Sequence, residues 1–258
     1  VKKNKVRKVM MILCLIVILV MVFAQLALAR AGGGGGGGGG GSSRGGGGII
    51  GIILAPFLLI YSAILTAKLN QKNREARMLL ARISENERSW DLSKIKNDIE
   101  IAYFKVQEAW MKRDQTIAKD YMSKRLFSKH KAQTDFMIEQ HRKNILQNIN
   151  LIESRIVQVA DYKDDSKDMM WVYIKGSMID YIINDQTNKV ISGSPNEAEQ
   201  FTELWKFIRG PEGWVLDEID QTVTLDDFKR MQSFSEASKQ RLKGSLVREE
   251  TLGREYKK

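Results

Sequence analysis

Residues 169–183 read MMWVYIKGSMIDYII. Val, Ile, Tyr and Trp recur in it with a period of two, as in a β-strand that buries one face. Upstream, Arg155–Tyr162 has the same character, and Lys163-Asp164-Asp165-Ser166 between the two has the composition of a hairpin turn. Downstream, Gly193-Ser194-Pro195-Asn196 breaks the chain, Gln200–Ile208 reads as a third strand, Arg209-Gly210-Pro211-Glu212-Gly213 as the next turn, and Trp214–Ile219 as a fourth strand. Four consecutive strands joined in this way predict an antiparallel sheet, and such a sheet needs cover on one face.

The cover comes from residues that precede the strands. Leu92, Ile95, Ile99, Tyr103, Val106 and Trp110 repeat at intervals of three and four, which predicts an amphipathic helix. Phe104 lies off that stripe and is expected to meet another layer. A short helix is expected around Thr116–Met122. A longer one is expected from Lys124 to about Asn150, carrying Leu126, Met137, Ile145, Leu146 and Ile149, with Ile152 just beyond. Leu225–Met231 reads as a short terminal helix, and the polar residues after about 238 read as disordered. Helices first and strands afterwards define an α+β class, with helices packed on a four-stranded antiparallel sheet. A curved sheet wrapped on a helix pair commonly encloses a cavity, the default place for a ligand or partner.

Further out, the first ninety residues have a different character. Val9–Ala29 is 21 residues without a charge, long enough to cross a bilayer as a helix. Five basic residues precede it, and Ala27-Leu28-Ala29 has the form of a signal-peptidase site, so a cleaved signal and a retained anchor are both open. Gly32–Gly41 and Gly45–Gly48 flank Ser42-Ser43-Arg44 and read as flexible linker. Ile49–Ala67 is a second apolar run of 19 residues, with Pro56 inside it, and reads as a second span. Basic residues follow at Lys68, Lys72, Arg74, Arg77, Arg82 and Arg88. Positive charge before the first span and after the second places both flanks, and the domain that follows, on the cytoplasmic side of an inner or plasma membrane. The chain then divides into a signal-like or spanning segment (1–29), a glycine-rich loop (30–48), a second span (49–69), a basic stalk (70–90), a soluble domain (91–235) and a polar tail (236–258). In the stalk, Lys72, Arg74, Arg77 and Arg82 are candidates for contact with anionic lipid.

The formal charge of +10 belongs wholly to this first part. Residues 1–90 carry 13 Lys/Arg and 3 Asp/Glu, and residues 91–258 carry 28 of each. A balanced soluble part lacks the excess charge that phosphate backbones demand, which argues against nucleic-acid binding except through a ribosome. A local set, Lys119, Lys124, Arg125, Lys129, Lys131, Arg142 and Lys143, leaves a ribosome contact open. Cys14 is the only cysteine, so there is no disulfide framework and no thiolate metal site.

No cofactor or metal motif stands out. His130 and His141 are expected on one helix, three turns or roughly 16 Å apart, too far for one ion. The aspartates of Lys163–Asp168 lack the Gly and the terminal Glu of a calcium loop. Asp180, Glu203 and Tyr121 are the residues available for acid–base chemistry if a cavity gathers them. Trp110, Tyr121, Phe127, Trp205, Phe207 and Trp214 are the candidates to line a pocket or hold a partner, with core packing as the competing use.

Several stretches together resemble the Tim44-like domain family. They are Ala109-Trp110-Met111-Lys112-Arg113-Asp114, Tyr121-Met122-Ser123, Leu126-Phe127, His130-Lys131-Ala132-Gln133, Glu203-Leu204-Trp205-Lys206-Phe207 and Gly213-Trp214-Val215-Leu216-Asp217-Glu218-Ile219. The resemblance covers about residues 91–235. It implies a cystatin-like fold with a large apolar pocket, placed at a membrane and docking to proteins or a ribosome without being an enzyme. Two spans and a polyglycine loop depart from the mitochondrial translocase subunit that names the family, and they suggest a bacterial relative with its own anchor. The leading expectation is a non-enzymatic docking or scaffold protein in protein translocation, insertion or envelope organisation. The alternatives are a small-molecule-binding or enzymatic domain of the same fold, and a membrane-tethered ribosome contact.

Overall fold

A helix of 37 residues, α1 (Gly48–Ser84), runs unbroken from the second apolar stretch through the first two thirds of the expected stalk. The computed structural model describes residues 48–236, with side chains from Pro56 onward. The expected first span, the glycine loop up to residue 47 and the tail from residue 237 lie outside the described residues. Among the described residues no helix is long and apolar enough to cross a membrane. The part of the second apolar run with described side chains, Pro56–Ala67, has 12 residues, short of the roughly 20 that a bilayer requires.

The two halves of α1 differ in what they touch. Phe57, Leu58, Leu59, Ile60 and Tyr61 are exposed, whereas Leu69, Ala76, Leu80 and Ile83 are buried. The second half is therefore a core helix of the domain, not a connector outside it. A 3₁₀ turn (Arg88–Trp90) leads into α2 (Leu92–Lys112), whose first amides are capped by Asp91. The α2 stripe read from the periodicity is buried: Ile95, Ile99, Tyr103, Val106 and Trp110 all face inward. Phe104 instead is 40 % exposed and meets the Tyr103 ring edge-on at 5.2 Å. α2 stops at Arg113, which takes a left-handed conformation with φ of 55°. A 3₁₀ segment (Gln115–Tyr121) and α3 (Lys124–Glu139) follow, the latter capped by Ser123.

The sheet comprises β1 (Arg142–Asp161), β2 (Met169–Asn184), β3 (Val190–Arg209), β4 (Trp214–Asp220) and β5 (Phe234–Ser235), in the spatial order β4-β3-β2-β1-β5. Four strands pair antiparallel as expected, but the fifth lies parallel to β1, through Ala160 opposite Phe234 and Asp161 opposite Ser235. The sheet is thus mixed and five-stranded. The extra strand has two residues, too few to show a period of two. It is placed by α4 (Leu225–Arg230), a short helix closed by a reciprocal cap between Thr224 and Asp227.

Two further corrections have physical reasons. The expected helix to about Asn150 ends at Glu139, and β1 starts at Arg142. Leu146 and Ile149 are three apart yet join the same core because a bulge at Asn148, with φ of 51°, inserts a residue into β1. That spacing imitates a helix. Likewise Gly193–Asn196 does not end a strand but forms a bulge within β3, between the pairs Tyr181–Gly193 and Ile179–Ala198. Gly193 has φ of 82°, and a Cβ there would lie 2.5 Å from the Asp180 carbonyl oxygen. Pro195 sits inside the bulge, where its missing N–H interrupts no ladder bond.

Both faces of the sheet carry apolar residues. One face packs Met170, Val172, Ile174, Trp205, Phe207 and Leu216 against α2 and the second half of α1. The other packs Val157 and Leu204 against Leu69 of α1 and Phe228 and Met231 around α4. α1 therefore passes beside the β1 edge from one face to the other, and Asn73 donates a 2.9 Å bond to the Ile156 carbonyl as it crosses. Covering an open edge with a helix is a recurrent protection against intermolecular strand pairing.

Candidate partner and lipid surfaces

The aromatic candidates divide into two groups. Trp205 and Phe207 are wholly buried, and Trp110 and Trp214 nearly so, whereas Tyr121 and Phe127 are half-buried at the margin of the same core. The interior expected to be an apolar pocket holds Tyr103, Trp205 and Phe207 without exposure, with Tyr103 and Trp205 rings 5.5 Å apart. Trp110 meets the ring of His130 edge-on at 5.4 Å. Trp205 donates its indole N–H to Glu203 at 2.8 Å, so Glu203 is a buried, bonded carboxylate. Asp180 pairs with Leu146 in register and Glu203 with Ile174. The two carboxylates are thus six residues apart along β2, about 20 Å. The geometry does not gather them into an acid–base pair.

His130 and His141 are separated by the end of α3. His130 is buried on that helix, and burial, reinforced by Lys129, pushes its imidazole down to about 4. His141 lies in the following turn with φ of 51°, its Nδ1 3.5 Å from Asp185. Arg113 also reaches Asp185, at 2.6 Å, and so ties the end of α2 to the β2–β3 turn.

One buried electrostatic cluster was not legible from spacing. Arg209, at the end of β3, stacks 5.1 Å from the Trp90 ring and 4.4 Å from the Trp214 ring. It donates to Glu87 at 2.9 Å and to Asp168 at 2.7 Å. The Asp168 side chain is sealed from solvent, and burial pushes its carboxyl up to about 6 even though Tyr162 N–H and Arg209 both favour the ionised form. Carboxylate oxygens of Glu87, Asp165 and Asp168 come within 4.8 Å of one another, the arrangement a cation would use. The guanidinium bridges two of the three, so the group reads as an ion-pair clamp that joins the Arg88–Trp90 turn to β2, β3 and β4. Its signal lies in Glu87 and Trp90, in Asp168 and in an Arg-Gly turn at 209–210, and none of these is diagnostic alone.

The basic candidates on α1 also divide. The Lys72 side chain retains 14 % exposure and pairs with Glu75 at 3.1 Å. Arg74, Arg77 and Arg82 are exposed. Arg77 borders a groove of about 310 Å³ between α1, α2 and β1, lined also by Asn73, Lys96, Ile99, Ser154 and Arg155. Within the basic set considered for a ribosome, Arg125 is bonded to Asp217 at 2.9 Å and Lys131 to Asp135 at 2.7 Å.

A fold of helices on a curved mixed sheet has many relatives, and the sequence decides among them. The family model for the Tim44-like domain matches residues 76–221, more than half of the chain. The chain belongs to the Tim44-like domain family. The match begins inside α1, upstream of the boundary at residue 91 expected from the sequence, and it takes in the buried residues Ala76, Leu80 and Ile83 of that helix. Among solved structures, the intermembrane space region of the chloroplast protein ARC6 is similar to this Tim44-like chain at 10 % identity and a TM-score of 0.35, over 51 % of this chain and 98 % of that one. No curated protein matches the sequence.

Proposed function

We propose that this Tim44-like chain is a non-enzymatic docking module held at a membrane by its N-terminal apolar segments, serving protein translocation, insertion or envelope organisation. One observation carries the membrane part. Phe57, Leu58, Leu59 and Ile60 are consecutive on α1, exposed by 54 %, 57 %, 68 % and 58 %. Four successive helical residues point all round the axis, and a helix apolar on every side belongs in lipid or among other apolar helices. With the residues before Pro56, the run reaches the 19 of the sequence reading, and the basic residues after it favour a cytoplasmic domain. Family membership supports the docking part, and the filled interior favours partner binding on the surface over a ligand held inside.

The test is membrane extraction of the full chain. Pelleting with membranes should resist alkaline carbonate in the wild type and be lost when Leu15, Ile16 and Val17 of the first apolar run and Leu58, Leu59 and Ile60 of the second are all changed to Asn. Release of the wild type by carbonate would overturn the anchor. A photoreactive group at exposed Phe136 or Phe104 then reports the partner. Capture of a translocase or insertase subunit supports docking, whereas turnover of a small molecule by the purified chain would overturn the non-enzymatic reading.

A further inference from the structure

The clamp around Arg209 leaves carboxylates that it does not neutralise. Ala160 and Met169 form the last pair between β1 and β2, and Asp161 and Asp168 stand opposite each other just beyond it. Two residues back on each strand, Val159 and Met170 lie in the main core, so by alternation both aspartates point to that same face. Both are buried, with 2 % and 0 % exposure. Like charges directly opposite on adjacent strands repel, and the charge of Asp161 is felt at Asp168. Asp168 has the Tyr162 N–H and Arg209 as partners. The Asp161 Oδ2 has none: sealed from solvent, it meets no donor among the described residues.

A second observation falls at the same place. One carboxylate oxygen each from Glu87, Asp165 and Asp168 come within 4.8 Å of one another. Asp165 is exposed and Glu87 half-buried, so the cluster opens to solvent on one side, and Asp161, facing Asp168, lies at its buried end. Four carboxylates therefore gather around one guanidinium. Of the lysines in the β1–β2 turn, Lys167 pairs with Asp164 at 3.4 Å and Lys163 is exposed. A buried carboxylate without a donor, set beside a second one, is costly unless a positive charge reaches it.

We infer that this cluster binds a hard divalent cation, with Glu87, Asp165 and Asp168 as its ligands and Asp161 as the buried charge that it neutralises. Oxygen donors alone, without histidine or cysteine, select calcium, magnesium or manganese over zinc or copper. Ligands drawn from two separate turns suit calcium best, since it accepts about six to eight oxygens in flexible geometry and takes water to complete the set. Arg209 stays in place, holding Glu87 and Asp168 from the side of Trp90 and Trp214. Glu87 follows the end of α1 by three residues, so the ion ties the turn between α1 and α2 to the β1–β2 hairpin. The site stands whether or not the chain docks to a partner or crosses a membrane.

Terbium luminescence of the detergent-solubilised full chain tests the site, because Trp90 and Trp214, stacked on Arg209, are close enough to sensitise an ion in the cluster. Excitation of tryptophan should give terbium emission that millimolar calcium displaces. Asp161→Asn with Asp165→Asn should weaken terbium and calcium binding about tenfold or more. Glu100→Gln with Glu139→Gln removes equal charge from exposed positions on α2 and α3 and should leave binding unchanged. Calcium should also raise the melting temperature of the wild type in a concentration-dependent way and leave that of the site variant flat. Asp165→Asn alone, at an exposed position, should weaken calcium binding too, so the result does not hang on the folding of the double variant. A wild type without calcium-displaceable emission and with a melting temperature indifferent to calcium overturns the site, as does an equal loss in the surface control.

Discussion

At Gly176 there is no room for a side chain. A Cβ there would lie 2.5 Å from the Tyr103 hydroxyl and 2.5 Å from the Phe201 ring. Gly176→Ala should therefore cost roughly 1–3 kcal/mol, read as a lower urea midpoint at unchanged slope. His130 and Asp168 set opposing pH trends. The His130 imidazole sits at about 4 in the fold, below its ordinary value, so the unfolded chain binds the proton first. Its contribution to stability is present above pH 6.5 and is lost as the pH falls toward 4. Asp168 does the reverse. Its folded carboxyl sits at about 6, so the native state holds a proton that the unfolded chain has released. Stability drawn from that group is present below pH 4 and declines as the pH rises through 6. His130→Leu should flatten the loss of stability between pH 7 and 5, and Asp168→Asn should steepen it, as measured by urea unfolding at each pH. If the two variants share the wild-type slope, neither group controls it. None of this was legible in the sequence, because burial of a single His or Asp depends on which distant elements close over it.

Single elements were readable where one period governs them. The α2 stripe and the cores of β2 and β4 follow directly from intervals of three and four or of two. α3 was overextended because a bulge at Asn148 gave β1 a helix-like spacing, and β5 was missed because two residues carry no period. The stalk shows how composition misleads: its Arg and Lys residues suggest solvent, yet Ala76, Leu80 and Ile83 between them are buried. Leu80 retains 2 % exposure, so Leu80→Ala should cost about 2–4 kcal/mol. A shift within about 0.5 kcal/mol, as expected of a surface position, would return this segment to the role of a connector. The small α4 depends on its reciprocal cap, and Thr224→Ala should cost about 1 kcal/mol by the same measurement.

For the whole molecule, the boundary between the proposed anchor and the domain falls inside a helix. A chain starting at Lys68 keeps Leu69, Ala76, Leu80 and Ile83 and should fold, with dispersed amide resonances and a cooperative thermal transition. A chain starting at Asp91 strips those residues from both faces of the sheet and uncovers the β1 edge, so it should aggregate or remain unfolded. Equal behaviour of the two would show that α1 is dispensable. The division into a helical part and a sheet was legible from the order of periods, and the family resemblance from scattered motifs. A docking face was not, because four of the six aromatic candidates, Trp110, Trp205, Phe207 and Trp214, are ones the fold needs inside. The unbroken course of α1 through this boundary also gives the molecule a mechanical property. A rigid shaft has no universal joint, so any change in its lean is passed on undiminished to the body at its end. If the proposed anchor holds, a shift of about 10° in its lean, of the kind that a thicker or thinner bilayer imposes, would swing a point about 60 Å away by about 10 Å. A dye on the β2–β3 turn should change its height above the bilayer between thin and thick lipids, and a constant height would place a hinge between Ala67 and Gln71.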